Sequence, residues 1–199
     1  MLDGDVEKAA AAYHEAGHAV VAIKNGETLQ SLSIGPDSQS PGAWIGNASL
    51  ERQPPSLSFA LIALCGPLAE AKYRAEQHFG LSINLDGESV PSEVIDTIED
   101  EDSNKLARFR IDFVGQAGQL FRFDVCCNVF SFDLDFIREK RFARSELEKT
   151  YADACIILNA AETWRIIKRV SEELRLRPIV DGFCTMTADE VIRLCRSRD

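Results

Sequence analysis

The sequence predicts a mainly α-helical single domain, residues 1–199, with a small β-hairpin or sheet placed after the first helix. Three observations predict it. The stretch from Val6 to Asn25 is Ala-rich, free of Pro and interrupted by Gly at Gly17 alone, which is a helix-forming composition. Two later stretches, one after Pro54-Pro55 and one from Ser145 to Arg177, are long and apolar in a helical pattern. Between them and the first helix, short β-prone runs alternate with a region rich in Gly, Pro and Ser. A chain of 199 residues is of the size of one domain, since domains usually run to roughly 100–200 residues. Hydrophobic content of 45% and charged content of 27% belong to a folded chain and not to a disordered one.

The elements follow in order. The first helix runs from Val6 to about Asn25 and is ended by "NGE". "LQSLSI" and "AWIGNASL" read as short strands around a turn region, forming a hairpin or sheet edge. "SLSFALIALCGPLAEAKYRAEQHF" is apolar enough for a buried second helix, with Pro67 marking a kink or break. From Ala75 to Asn104 there is no Lys or Arg, and acidic residues are frequent, as in a solvated loop. Leu106, Phe109 and Phe113 have helical spacing, whereas residues 115–140 mix periods and are assigned no state. Ser145 to Arg177 predicts one long core helix with Ile156, Ala160, Trp164, Ile167, Val170 and Leu174 on one stripe. Thr187 and Glu190 have capping-box spacing and open a last short helix.

Bulk properties exclude several partners. A formal net charge of −10 argues against a nucleic acid or an anionic membrane, both of which require concentrated Lys and Arg. The start carries acidic residues where a signal peptide would be basic, and no run reaches the ~18 apolar residues of a membrane span. The six cysteines contain no CxxC pair, so buried free thiols in a reducing compartment, the cytoplasm, are expected. The vicinal pair Cys126-Cys127 has nothing nearby to lower a thiol pKa and is read as packing.

One stretch of the first helix carries chemistry. "YHEAGHAVVAI" contains His14, Glu15 and His18 in HExxH spacing, and residues four apart on a helix share a face, so both imidazoles can converge on one metal ion. Catalytic zinc takes three protein ligands and leaves a position for water, and Glu15 beside the first histidine is placed to accept that water's proton. The helix is otherwise apolar, and burying unpartnered His and Glu would be costly. Gly17 inside it suggests close approach by a neighbouring element. The metzincin continuation is excluded, because Val21 and Lys24 stand where its Gly and third His would be. His78, the remaining histidine, or a carboxylate must supply the third ligand. Glu70 reads either as a helix-surface carboxylate beside Lys72 and Arg74 or as a partner to a metal-bound histidine.

These residues resemble the peptidase domain of FtsH-type ATP-dependent zinc proteases. "AYHEAGHAVVA" is close to that family's motif helix. "LIALCGPLAEAKY" is similar to its next helix, where Gly66, Ala69 and Glu70 match a Gly-x-x-Ala-Glu segment, and the C-terminal helices are similar as well. Two departures stand out. No GxxxxGK[ST] and no membrane anchor occur in the sequence, and Pro67-Leu68 replace the usual Arg-Ala. The resemblance implies a helical metallopeptidase-like domain holding Zn²⁺ through His14, His18 and an aspartate that opens a helix. Asp102 fits that aspartate, with Leu106, Phe109 and Phe113 four, seven and eleven positions on. Glu99 shares that face, whereas Asp100 and Glu101 point elsewhere. It further implies hydrolysis of flexible or unfolded polypeptides with Glu15 as general base, delivered by a separate ATPase or within a homo-oligomer. "AWIGNASL" would pair with the extended substrate. The competing expectation is a catalytically inactive binding or scaffold protein that keeps the motif helix.

Overall fold

The computed structural model describes residues 4–87, 108–114, 118–126 and 142–197. It is mainly α-helical with a small antiparallel sheet, as the sequence predicts. The first helix, α1, spans Gly4–Lys24 and is buried almost continuously from Ala9 to Ala22, so it is the centre of the core and not a surface element. It ends in a Schellman arrangement: Gly26 has φ 80°, Glu27 N–H donates to Ala22 O at 3.0 Å, and Gly26 N–H donates to Ile23 O at 3.1 Å.

Strands β1 (Leu29–Pro36) and β2 (Trp44–Leu50) form the expected hairpin, with Ile34 opposite Gly46. A third strand, β6 (Cys184–Thr187), pairs with the other side of β1, which leaves β2 on an edge of this sheet. Leu32 and Ile34 point into the core against α1. Helix α2 (Ser56–Phe79) runs through Pro67 without a break and ends at Gly80, which is left-handed at φ 64°.

Helices α1 and α2 cross closely at Gly17. A Cβ there would lie 2.5 Å from Cys65 O and 2.8 Å from Ala69 Cβ. Gly17→Ala gains about 1 kcal/mol of helix propensity, but the contact is with backbone and cannot be relieved by turning a side chain. The overpacking cost of about 1–3 kcal/mol exceeds that gain. Chemical denaturation should therefore give a lower midpoint for Gly17→Ala at unchanged slope, and a higher midpoint would contradict the close crossing.

Two sequence-based expectations are corrected. Phe109 and Phe113 lie on a strand, β4 (Arg108–Val114), which pairs with β3 (Asn84–Leu85) and β5 (Leu120–Cys126) in a second antiparallel sheet. Residues four apart satisfy a period of 2 as well as a helical one, and the alternation in "RFRIDFV" decides for the strand. Leu106, Asp102, Glu99 and Asp100 lie outside the described residues. The helical spacing that singled out Asp102 therefore does not extend to Phe109 and Phe113.

The long C-terminal helix is two helices, α3 (Arg144–Asn159) and α4 (Ala161–Leu176), with extended backbone at Ala160, φ −62° and ψ 119°. Ile156 is 67% exposed and leaves the stripe, while Trp164, Ile167, Val170 and Leu174 are buried. Tertiary partners take the place of helix continuation. Asn159 Oδ1 accepts from Leu85 N–H at 2.8 Å, and its Nδ2 donates to Leu85 O at 2.8 Å. Lys72 from α2 donates to Leu158 O at 3.0 Å and to Asn159 Oδ1 at 3.2 Å, a cation on the carbonyl end of a helix. Burial pushes the Lys72 ammonium down to about 8. The last helix, α5 (Ala188–Arg196), opens with the expected capping box: Thr187 N–H donates to Glu190 Oε2 at 2.8 Å, and Glu190 N–H donates to Thr187 Oγ1 at 3.4 Å.

Cys65, Cys155 and Cys184 are free and buried. Cys127 and the side chain of Cys126 lie outside what is described. Among the described residues no helix is long and apolar enough to cross a membrane.

Candidate metal centre

Helix α1 is held in one rotational setting by its neighbours. Tyr13 stacks on Tyr73 of α2 with ring centroids 4.1 Å apart, and tilts against Trp164 of α4 at 5.7 Å. Gly17 seats against α2 as described. With the helix locked, His14 and His18 both turn toward α2, their ring centroids 4.8 Å apart and their planes at 71°. His14, Glu15 and His18 are 4%, 5% and 7% exposed. A solvent-facing polar face is thereby excluded.

Each imidazole is fixed through its Nδ1. His18 Nδ1 lies 2.8 Å from the carbonyl oxygen of Ile62. A carbonyl can only accept, so Nδ1 carries the proton and, in the neutral ring, Nε2 presents a lone pair. His14 Nδ1 lies 3.0 Å from Glu70 Oε2. Burial pushes the Glu70 carboxyl up, but the hydrogen bond from His14, the charge that ring carries when protonated, and the Arg74 guanidinium together reverse this and hold it below the ordinary carboxylate value. An ionised carboxylate only accepts, so His14 also donates from Nδ1. Of the two readings of Glu70, the surface carboxylate is excluded: it is 6% exposed and bonded to the first histidine of the motif.

This donor set fits a zinc ligand pair. Metal-binding histidines characteristically give their second N–H to a carboxylate or a backbone carbonyl, which fixes ring and tautomer. Two glycines clear the space. A Cβ at Gly66 would overlap the His18 ring, and one at Gly46 on β2 would lie 2.7 Å from Glu15 Cδ and Oε1. The Glu15 carboxylate thus lies against the backbone of the edge strand. The sequence singles out Gly66 through a resemblance to a Gly-x-x-Ala-Glu segment, but neither Gly46 nor the Ile62 carbonyl. A carbonyl on a helix has no side-chain signature, and Gly46 acquires its meaning only once β2 is laid across α1.

A metal at this pair would need a third ligand, and none stands beside it among the described residues. His78 stands eight residues past Glu70, about 12 Å further along the helix, exposed and edge-on to Phe79. Asp102, Glu99 and Asp100 lie outside the described residues, and among the described residues no group of three His, Cys, Asp or Glu is arranged to hold a metal ion. Compared with protein-family models and with curated proteins, the chain matches none.

Proposed function

We propose that this chain is a zinc-dependent metallopeptidase that cuts flexible or unfolded polypeptides. The observation that carries the reading is the pair of HExxH imidazoles, buried on one helix face and each bonded through Nδ1, an arrangement in which each neutral ring presents the Nε2 lone pair. Zinc bound there would polarise the scissile carbonyl and activate a water. His14 and His18 hold it, and a carboxylate from residues 88–107, Asp102 in the first instance, completes the three.

Glu15 accepts a proton from the attacking water at its carboxylate and returns it to the leaving amine. Edge strand β2 supports the choice of substrate. Its outer hydrogen-bonding side has no strand partner among the described residues, and an extended peptide added there would run past Gly46 and hence past Glu15. Main-chain pairing selects for extended, flexible substrate more than for side-chain identity. A separate ATPase, or assembly of several copies, would widen the range by unfolding compact proteins. The buried free thiols fit a reducing compartment such as the cytoplasm.

Elemental analysis of purified protein tests the metal directly. About one zinc per chain is expected, lost in His14→Ala, because two ligands cannot hold what three do. Zinc well below one per chain in the wild type, unchanged by His14→Ala, would remove the reading. Asp102→Asn and Glu99→Gln, measured the same way, identify the third ligand.

A further inference from the structure

We propose that Arg74 and Glu7 act as positioning residues for the metal centre, through Glu70; the inference rests on the zinc reading above. Glu70 uses both of its oxygens. Oε2 takes the His14 Nδ1–H at 3.0 Å, and Oε1 takes Arg74 Nε–H at 2.8 Å. The remaining edge of the guanidinium is spent on Glu7, with Nη1 to Oε1 at 3.0 Å and Nη2 to Oε2 at 2.8 Å. Three donors of one rigid fork thus meet two carboxylates, a geometry Arg supplies and Lys does not.

The four residues form a closed circuit between two helices. Glu7 and His14 lie two turns apart on α1, while Glu70 and Arg74 lie one turn apart on α2. Side-chain exposure is lower in the inner pair, 8% at Glu70 and 5% at His14, than in the outer pair, 15% at Glu7 and 20% at Arg74. A carboxylate held at one oxygen can swing about its terminal torsion, which is a broad one. Held at both, it cannot, and the His14 ring inherits that rigidity. The site needs this more at His14 than at His18, because the latter is bonded to a backbone carbonyl within a helix, which has no side-chain torsion to turn. The circuit also leaves one net negative charge beside the ligand ring, two carboxylates against one guanidinium, which complements a divalent cation.

A merely structural salt bridge would make the same contacts, so the test is a coupling experiment on the full chain. Zinc affinity is measured by competition with a chromophoric chelator for wild type, Arg74→Met, Glu70→Gln and the double variant, beside thermal unfolding of each without zinc. Arg74→Met should weaken zinc by about 10-fold, the lower end of what loss of an outer-shell partner costs. In the Glu70→Gln background the same change should cost nothing further, because its route to the metal is already cut. Unchanged or tighter zinc binding in Arg74→Met, or an equal additional loss in the double variant, overturns the proposal. If Arg74→Met does not fold, Glu7→Gln removes the outer anchor alone. A smaller loss that vanishes in the Glu70→Gln background supports the proposal, and no loss overturns it. Wild-type protein that takes up no zinc sinks the underlying metal reading itself, a result distinguishable from wild type that binds tightly with indifferent variants.

Discussion

Glu15→Gln is expected to lower peptide hydrolysis by about 100–10,000-fold, the usual worth of general acid–base catalysis, while leaving zinc content and fold unchanged. The amide is isosteric with the carboxylate and occupies the same space against Gly46, where a Cβ would come within 2.7 Å of the side chain. What it lacks is a basic oxygen able to take a proton from water. Because Glu15 is not one of the residues proposed to bind the metal, elemental analysis should give the same stoichiometry for both proteins. A casein is the suitable substrate, since cleavage then requires no unfolding. Hydrolysis in wild type that disappears in Glu15→Gln at equal zinc content supports the mechanism. Equal inertness of both proteins from about pH 6 to 9, with zinc still bound, would reassign the chain as a metal-holding scaffold.

What could be read in advance divides along a physical line. Features set by near neighbours in sequence were legible. The Ala run makes α1, the Gly and Pro clusters bracket β1 and β2, and Thr187 with Glu190 caps α5 through bonds three residues apart. The histidine pair and Glu15 belong to the same class, because one helix turn brings them together. Features set by distant partners were not legible. The break at Ala160 depends on Asn159 meeting Leu85 and on Lys72 reaching from α2, and nothing between Ser145 and Arg177 records either. Phe109 and Phe113 were ambiguous in principle, since a separation of four fits both periods. Glu70 lies between the two classes: its type and place in the second helix were visible, but its bond to His14 requires α1 and α2 to cross at Gly17. Arg74, at i+4 from Glu70, was legible as a local ion pair, but its contact with Glu7 across 67 residues was not.

The same crossing yields the other large effect. Gly66→Ala should retain the fold yet cost far more zinc affinity than the roughly 10–100-fold that follows loss of an outer-shell hydrogen bond. Position 66 lies inside α2, where Ala is favoured over Gly by about 1 kcal/mol, so the helix itself does not resist the change. The new Cβ would overlap the His18 ring. Unlike the backbone clash at Gly17, this one is relieved by rotating a side chain, at the cost of the buried hydrogen bond that holds it. The ring must then leave its place over Gly66, and with it the 2.8 Å bond from Nδ1 to Ile62 O. His18 is thereby removed from the metal as a ligand, and not merely loosened. The expected pair of results is a thermal midpoint within a few degrees of wild type for the zinc-free protein and a chelator competition in which zinc is no longer retained. Full retention of zinc by a folded Gly66→Ala chain would show that His18 does not bind the metal from the position it occupies over α2.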